Sequence, residues 1–252
     1  MEQLNFPLLC AQDIECRVAQ TGKRQTGAWC TLLLYKDARC DQRILDQTVG
    51  PFAWMRRHDF LNGNNYCTVS IKGPDGSWID KMDVGTESNT EAVKGEASDA
   101  FKRACFNWGI GRELYTAPSI FIDLREGESY EQQGKVKVSA SVSFSVGHIA
   151  YDEDRREITE LAIIDKAGQI RFSWNKAKAE ERQAATRDRI ARAKEEKASK
   201  ETAIRDLIGK VNAAQSRSEL TAIWNGADSE TQANHEFTEA VKAAASRFPK
   251  AS

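Results

Sequence analysis

The chain has 252 residues, 40% of them hydrophobic and 29% charged, with a formal net charge of -1 and a pI of about 6.4. This length allows one sizeable hydrophobic core with an appendage. A nearly neutral chain cannot bind nucleic acid through its overall charge, so such binding would require cations concentrated in one place.

The six cysteines are scattered without CxxC spacing, and the three histidines lie far apart in the sequence. We see no secretory signal and no apolar run long enough to cross a membrane. We therefore expect reduced thiols in a cytoplasmic protein that has no metal site and needs no cofactor.

The first half predicts strands around a short helix. Residues 28–35 form an apolar run typical of a buried strand, and residues 37–49 predict a helix with Arg43 exposed and Ile44 and Leu45 inward. Residues 66–72 and 77–83 alternate apolar and polar side chains on either side of Gly73-Pro74-Asp75-Gly76. This pattern predicts a β-hairpin.

A helix is predicted from Ser88 to Trp108. Ser88 and Glu91 have the spacing of a capping box, and Gly109 is typical of a helix C-terminus. Between these signals, apolar residues at helical spacing form one stripe that should face a core: Val93, Ala97, Ala100, Phe101, Ala104, Cys105 and Trp108.

Lys102 and Arg103 lie away from the centre of that stripe, at about 100° per residue. Two interpretations are open from spacing alone. The pair belongs either to an ordinary solvated helix face, which is the commoner case, or to a ligand-binding surface.

Several motifs in the first 115 residues resemble the Rad-fifty-two (Rad52) family of single-strand annealing proteins, including its bacterial and bacteriophage branch. The motifs are residues 13–18, 34–39, 50–54, Asp83-Val84-Gly85, 98–104 and 108–111, in this order. The resemblance spans residues 8–115. It implies a non-enzymatic α+β protein with an antiparallel β-sheet packed on a long helix, which assembles into homo-oligomeric rings around a basic groove for single-stranded DNA.

The resemblance also assigns residues. Lys102 and Arg103 match the paired basic residues of the groove, Arg17 resembles an upstream arginine, and Lys94 resembles a further basic position. Phe106 departs from the pattern, because some relatives carry a basic residue there. The groove is then either less charged here or uses the face of an aromatic ring.

Physical chemistry favours these residue types. A groove that accepts any sequence must bind phosphates through Lys and Arg and leave the bases free to pair. Lys23 and Arg24, near glycines that bound a turn, either close on the nucleic-acid backbone or form a charged hairpin tip. The predicted DNA-binding residues are Lys102, Arg103, Arg17, Lys94, Lys23, Arg24 and Arg112.

Beyond Tyr115, residues 125–131 are acidic and predict a surface loop. Residues 136–149, 157–164 and 169–174 alternate in polarity and predict hairpins that extend the sheet. We assign residues 1–174 to one annealing, DNA-binding and oligomerisation domain.

From Asn175 the composition changes. Residues 175–200 are rich in Ala and charged residues with Ile190 as the one large apolar side chain, which predicts a solvated helix or a disordered linker. Residues 201–252 show three short amphipathic patterns and predict a small helical module. The module is either a packing appendage or a docking site for a partner such as a single-strand binding protein or an exonuclease.

Three functional classes therefore compete. The leading one is ATP-independent binding and annealing of single-stranded DNA in recombination and double-strand break repair, because no GxxxxGK[ST] loop is present. A ring protein that binds RNA or DNA without annealing is an alternative. A metal-dependent nuclease using Asp80, Asp83 and Glu87 is the third, disfavoured because Asp80 and Asp83 would point to opposite faces of a strand.

Overall fold

A computed structural model of the chain describes residues 4–86 and 92–248, without the side chains of residues 92–94. The fold is α+β with antiparallel sheets and a long helix packed on one of them, as predicted. The strands are β1 (Glu15–Arg24), β2 (Gly27–Tyr35), β3 (Trp54–Leu61), β4 (Asn64–Lys72), β5 (Trp78–Val84), β6 (Ile120–Asp123), β7 (Ser129–Gln132), β8 (Lys135–Val138), β9 (Phe144–Asp152), β10 (Glu157–Asp165) and β11 (Ile170–Asn175). The helices are α1 (Ala38–Thr48), α2 (Ala92–Trp108), α3 (Lys176–Ala213), α4 (Arg217–Gly226), α5 (Ser229–Gln232) and α6 (His235–Ala245).

The strands form three sheets rather than the single extended sheet that the sequence predicts. One sheet has the order β11-β10-β9-β1-β2-β6, a second has the order β3-β4-β5, and β7 pairs only with β8. The predicted strand over residues 136–149 is split, because a turn in which Val142 N donates to Ser139 O separates β8 from β9. The hairpins of β9, β10 and β11 therefore extend the sheet of β1 and β2, while the predicted hairpin of β4 and β5 belongs to the sheet beside α2.

The prediction for α1 is confirmed, and the prediction for residues 125–131 is wrong in part. In α1, Ile44 and Leu45 are buried and Arg43 is exposed, and Asp37 caps the helix by accepting a hydrogen bond from Arg39 N at 2.6 Å. The acidic segment 125–131 is not entirely a loop. Its last residues enter β7, because Ser129, Tyr130 and Glu131 pair with β8.

Helix α2 buries the centre of the predicted apolar stripe, in which Ala97 and Trp108 are half-buried and the Val93 side chain lies outside the described residues. Ala100, Phe101, Ala104 and Cys105 are fully buried against β4, whose Cys67, Val69 and Ile71 face the same core, and Trp108 donates its indole N–H to Val69 O at 2.9 Å. The helix ends in the predicted way. Gly109 has a φ of 106°, Gly109 N donates to Phe106 O, and Ile110 N donates to Cys105 O, which is the Schellman arrangement. The predicted capping box at Ser88 and Glu91 lies outside the described residues.

Strand β5 and the two residues after it run along α2 in close contact. A Cβ atom added at Gly85 would lie 2.1 Å from Glu96 O, so only glycine allows this approach. Gly85 N donates to Asn65 O, and Asn65 N donates to the Glu96 carboxylate at 2.7 Å. Thr86 donates from both its N–H and its hydroxyl to Asp99. These bonds fix the helix in position along the strand.

The C-terminal residues form a separate compact unit. The chain divides into residues 1–179 and 180–252, and α3 runs without a break through the boundary that the sequence predicts at residue 200. The second unit has its own small core of Val211, Ala214, Leu220, Phe237 and Ala244, with Trp224 stacked on Phe237 at 5.8 Å. The functional division of the chain stays a prediction.

We expect Gly85→Ala to destabilise the first unit. The added methyl group would overlap backbone atoms of α2, and overpacking of this kind costs about 1–3 kcal/mol. Chemical denaturation followed by tryptophan fluorescence would measure the change. Gly73→Ala is the matched control, because the atom closest to its added Cβ, at 3.1 Å, is the tip of the Asp75 side chain, which can move. Equal unfolding midpoints for the two variants would contradict this account of Gly85.

Candidate nucleic-acid interface

Arg103 projects from α2 beside β5. Its Nε atom donates to Asp83 Oδ1 at 3.2 Å, and about half of its side chain is exposed. Asn107, one turn later, donates its amide to Asp83 Oδ2 at 3.3 Å and to Met82 O at 3.1 Å. Asp83 therefore orients the guanidinium through one edge, while both terminal amino groups of Arg103 keep donors for a ligand.

Lys102 lies on a different side of α2 from Arg103. It is half-buried, and its positive charge acts on Asp41 of α1. Burial raises the pKa of Asp41 to about 6, although the charges of Lys36 and Lys102 oppose that rise. Lys36 forms a buried ion pair with Asp41. The two predicted groove residues thus diverge, Lys102 toward α1 and Arg103 toward β5.

Arg17 is exposed on β1, where it lies opposite Leu33 of β2. It lies close to Tyr35. The hydrogen bond that this phenol donates to Glu15 raises the pKa of Tyr35 to about 12, and the charge of Arg17 opposes the rise. Lys36, the next residue, is buried in its pair with Asp41, whereas Arg17 lies on the exposed side of the β1–β2 pair.

Lys23 and Arg24 lie at the tip of the β1–β2 hairpin, and both are paired. Lys23 contacts Glu131 at 2.7 Å, and Arg24 contacts Asp123 at 3.7 Å and covers the Phe121 ring at 4.2 Å. Lys23 also borders an open groove of about 900 Å³ between β1 and the β7–β8 hairpin. This tip supplies less free charge than its sequence indicates.

Arg112 lies in a short 3-10 helix, Arg112–Thr116, just beyond the end of α2. Its Nε donates to Phe106 O at 2.8 Å and one Nη donates to Asn107 O at 2.7 Å, so part of its role is to satisfy carbonyl groups at the end of α2. Its guanidinium also lies 5.4 Å from the centre of the Phe106 ring. Lys94 belongs to α2, but its side chain lies outside the described residues.

Lys81 and Arg56 are cations that the sequence interpretation did not single out. Lys81 donates to Asn107 O at 2.9 Å and lies 4.5 Å above the Trp108 ring, and Arg56 covers the Phe101 ring at 4.8 Å. The two-residue alternation of side chains along a β-strand could have identified Lys81 from the sequence. Lys81 is two residues from Asp83, so both side chains lie on the face of β5 that meets α2.

The carboxylates of the alternative nuclease site do not converge in the described part of the chain. Asp80 is exposed opposite Ser70, whereas Asp83 is held by Arg103 and Asn107 on the α2 side of β5. Glu87 lies outside the described residues. Within residues 4–86 and 92–248, no group of three His, Cys, Asp or Glu side chains is arranged to hold a metal ion.

The structure also bears on the predictions about the cysteines and about membrane-spanning segments. None of the six cysteines forms a disulfide, as expected. Among the described helices, none combines the length and apolarity required to cross a membrane.

Comparison with known proteins matches the segment around α2 to a known family. Residues 72–133 match the model of the Rad52/22 family double-strand break repair protein. The chain is also 32% identical over 127 residues to the single-stranded DNA-binding protein DdrA of Deinococcus radiodurans, an alignment that covers 48% of this chain and 56% of that protein. The chain thus spans just over half the length of the curated relative it matches.

The family match includes β5, α2 and the 3-10 helix, and therefore Lys81, Lys102, Arg103 and Arg112, whereas Arg17 precedes it. The predicted resemblance is confirmed: residues 72–133 of this chain match the Rad52/22 family model, and the chain is similar to a bacterial single-stranded DNA-binding protein.

Proposed function

We propose that this protein binds single-stranded DNA through phosphate contacts and anneals complementary strands in homologous recombination and double-strand break repair. It does so without nucleotide hydrolysis or a cofactor. The observation that carries the proposal is the exposed Arg103, oriented by Asp83 within the family-matched segment. DdrA, the similar relative, is a single-stranded DNA-binding protein, which supports the same ligand.

The chemistry of the interface fits sequence-independent binding. Arg103 and Lys102 offer N–H donors and positive charge, which suit phosphate oxygens of any sequence. Releasing counterions from the backbone supplies the affinity, and bases that are not read remain able to pair with a second strand. RNA has the same phosphates, so an RNA-binding ring without annealing is the second candidate, which a DNA-to-RNA competition would separate.

Assembly into a ring is part of the proposal. The formal net charge of the chain is only -1, so one protomer offers a small basic patch. Repetition of that patch around a closed oligomer would produce a continuous positive track. A protein with this function acts in the cytoplasm of a bacterium, whether a bacterial or a bacteriophage gene encodes it. Residues 180–252 form a separate unit, and its proposed role is to bind a single-strand binding protein or an exonuclease.

Replacing both groove residues, Lys102→Ala with Arg103→Ala, should weaken binding of a labelled oligonucleotide about tenfold or more, because two phosphate contacts are lost. Fluorescence anisotropy measures the change, and circular dichroism checks the fold. The matched control is Arg155→Ala with Lys166→Ala, which removes the same charge from two exposed turns. If both double variants bind like the unsubstituted protein, Lys102 and Arg103 do not belong to the interface.

Affinity should fall steeply with salt concentration and vary little between oligonucleotide sequences. For single strands the logarithm of the binding constant decreases by about 0.7 per phosphate contact for each tenfold rise in salt. Titrations at several salt concentrations give this slope, which should be shallower in the Lys102 and Arg103 double variant. A slope of zero in the unsubstituted protein would exclude binding through phosphates.

Removal of residues 180–252 should leave ring assembly and annealing largely intact. The cut follows the boundary between the two compact units and keeps Asn175 and Lys176, which contact Glu160 and Glu157. Light scattering and an annealing assay in EDTA would test this, since annealing does not require a metal ion. A truncated protein that is monomeric would place the assembly contacts in the C-terminal unit.

A further inference from the structure

Two glycines fold the chain back over the end of α2. Gly109 and Gly111 have φ angles of 106° and 77°, and the 3-10 helix that follows runs from Arg112 to Thr116. This turn brings Tyr115 against Phe106 of the last turn of α2. The two ring centres are 4.7 Å apart, with the ring planes inclined by 57°.

Tyr115 is unusually exposed for an aromatic residue that has a ring neighbour. About 77% of its surface is accessible, while Phe106 beneath it is half-buried. An aromatic side chain on a soluble domain normally buries much more of its area. Phe106 supports the Tyr115 ring from one side, and solvent reaches the rest of that ring.

Cations border this aromatic pair. The Arg112 guanidinium lies 5.4 Å from the centre of the Phe106 ring, and Arg112 and Lys81 donate to the same oxygen atom, Asn107 O. Neither cation has a carboxylate within salt-bridge distance among the described residues. Each retains N–H donors beyond those it uses on the helix, so both can still bind an anion.

Charge at the end of a helix does not by itself account for this arrangement. A single cation suffices to offset the partial negative charge of a helix C-terminus. Here two cations share one carbonyl oxygen, and one of them, Arg112, lies over Phe106, which supports the exposed Tyr115 ring. An aromatic face next to unpaired cations is the arrangement that binds one nucleotide of a single strand, with the base on the ring and the phosphate on the cations.

We propose that Tyr115, supported by Phe106, stacks on a base of the bound strand, and that Arg112 and Lys81 hold the adjacent phosphate. This inference rests on the proposed function and adds a base contact to it. Stacking uses the face of a base and leaves its pairing edge outward, so the contact is compatible with annealing. It is also independent of sequence, because every base has a π face.

The test compares Tyr115→Ala and Tyr115→Phe on two oligonucleotides of equal length, one of thymidines and one abasic. Tyr115→Ala should weaken binding to the thymidine strand about tenfold, the scale of one lost stack, and leave binding to the abasic strand unchanged. Tyr115→Phe should retain both affinities. Tyr130→Ala, which removes another exposed tyrosine of the same unit, is the matched control and should bind like the unsubstituted protein.

Arg112→Gln and Lys81→Gln should weaken binding to both strands, since the phosphates are common to them. If Tyr115→Ala and the unsubstituted protein bind the thymidine strand with equal affinity, Tyr115 does not stack on a base. The same conclusion follows if Tyr115→Ala loses as much affinity for the abasic strand as for the thymidine strand. Such a surface would instead suit a protein partner. If the unsubstituted protein binds neither strand at low salt, the proposed function itself fails, which is a separate result.

Discussion

The close approach of β5 to α2 is the constraint on which the interface depends. Alternate positions along the strand meet successive turns of the helix: Lys81 contacts Asn107, Asp83 contacts Arg103, and Gly85 lies against Glu96. A side chain at position 85 would separate the two elements and move the carboxylate away from the guanidinium. The Asp-Val-Gly sequence therefore has two roles. Its glycine permits the close contact between β5 and α2, and its aspartate orients the Arg103 guanidinium.

Electrostatic balance explains how a nearly neutral protein can offer a basic surface. Cations in the first unit differ in what holds them: Lys23 and Arg24 face carboxylates, whereas Lys81 and Arg112 face a backbone carbonyl. A carboxylate offsets part of the charge of its partner, as Asp83 does for Arg103, but a carbonyl oxygen fixes the direction of a cation and leaves its full charge. Lys81 and Arg112 therefore attract a polyanion more strongly than Lys23 and Arg24 do. The sequence alone does not show this difference, because the tip of the β1–β2 hairpin carries as many cations.

Elements with strong local signals could be predicted from the sequence. The apolar stripe and Gly109 define α2, and the Gly73-to-Gly76 turn defines the hairpin of β4 and β5. Sheet membership could not be predicted, because alternation shows that a strand has two faces and not which strand it pairs with. The different directions of Lys102 and Arg103 also escaped prediction, since they depend on whether α1 or β5 packs on each side of the helix.

The turn after α2 positions the side chains that are proposed to contact single-stranded DNA. Gly111 leaves no room for a Cβ atom, because one would lie 2.3 Å from the Lys36 side chain, and Lys36 is buried in its pair with Asp41. The turn is thereby fixed against the core on one side, while on the other it presents Arg112 and Tyr115 to solvent. A rigid turn loses little conformational freedom when a ligand binds, so an aromatic and a cationic side chain placed on it retain more of their interaction energy as affinity. Position 106 fits the same logic, because the Phe106 ring supports the Tyr115 ring from one side.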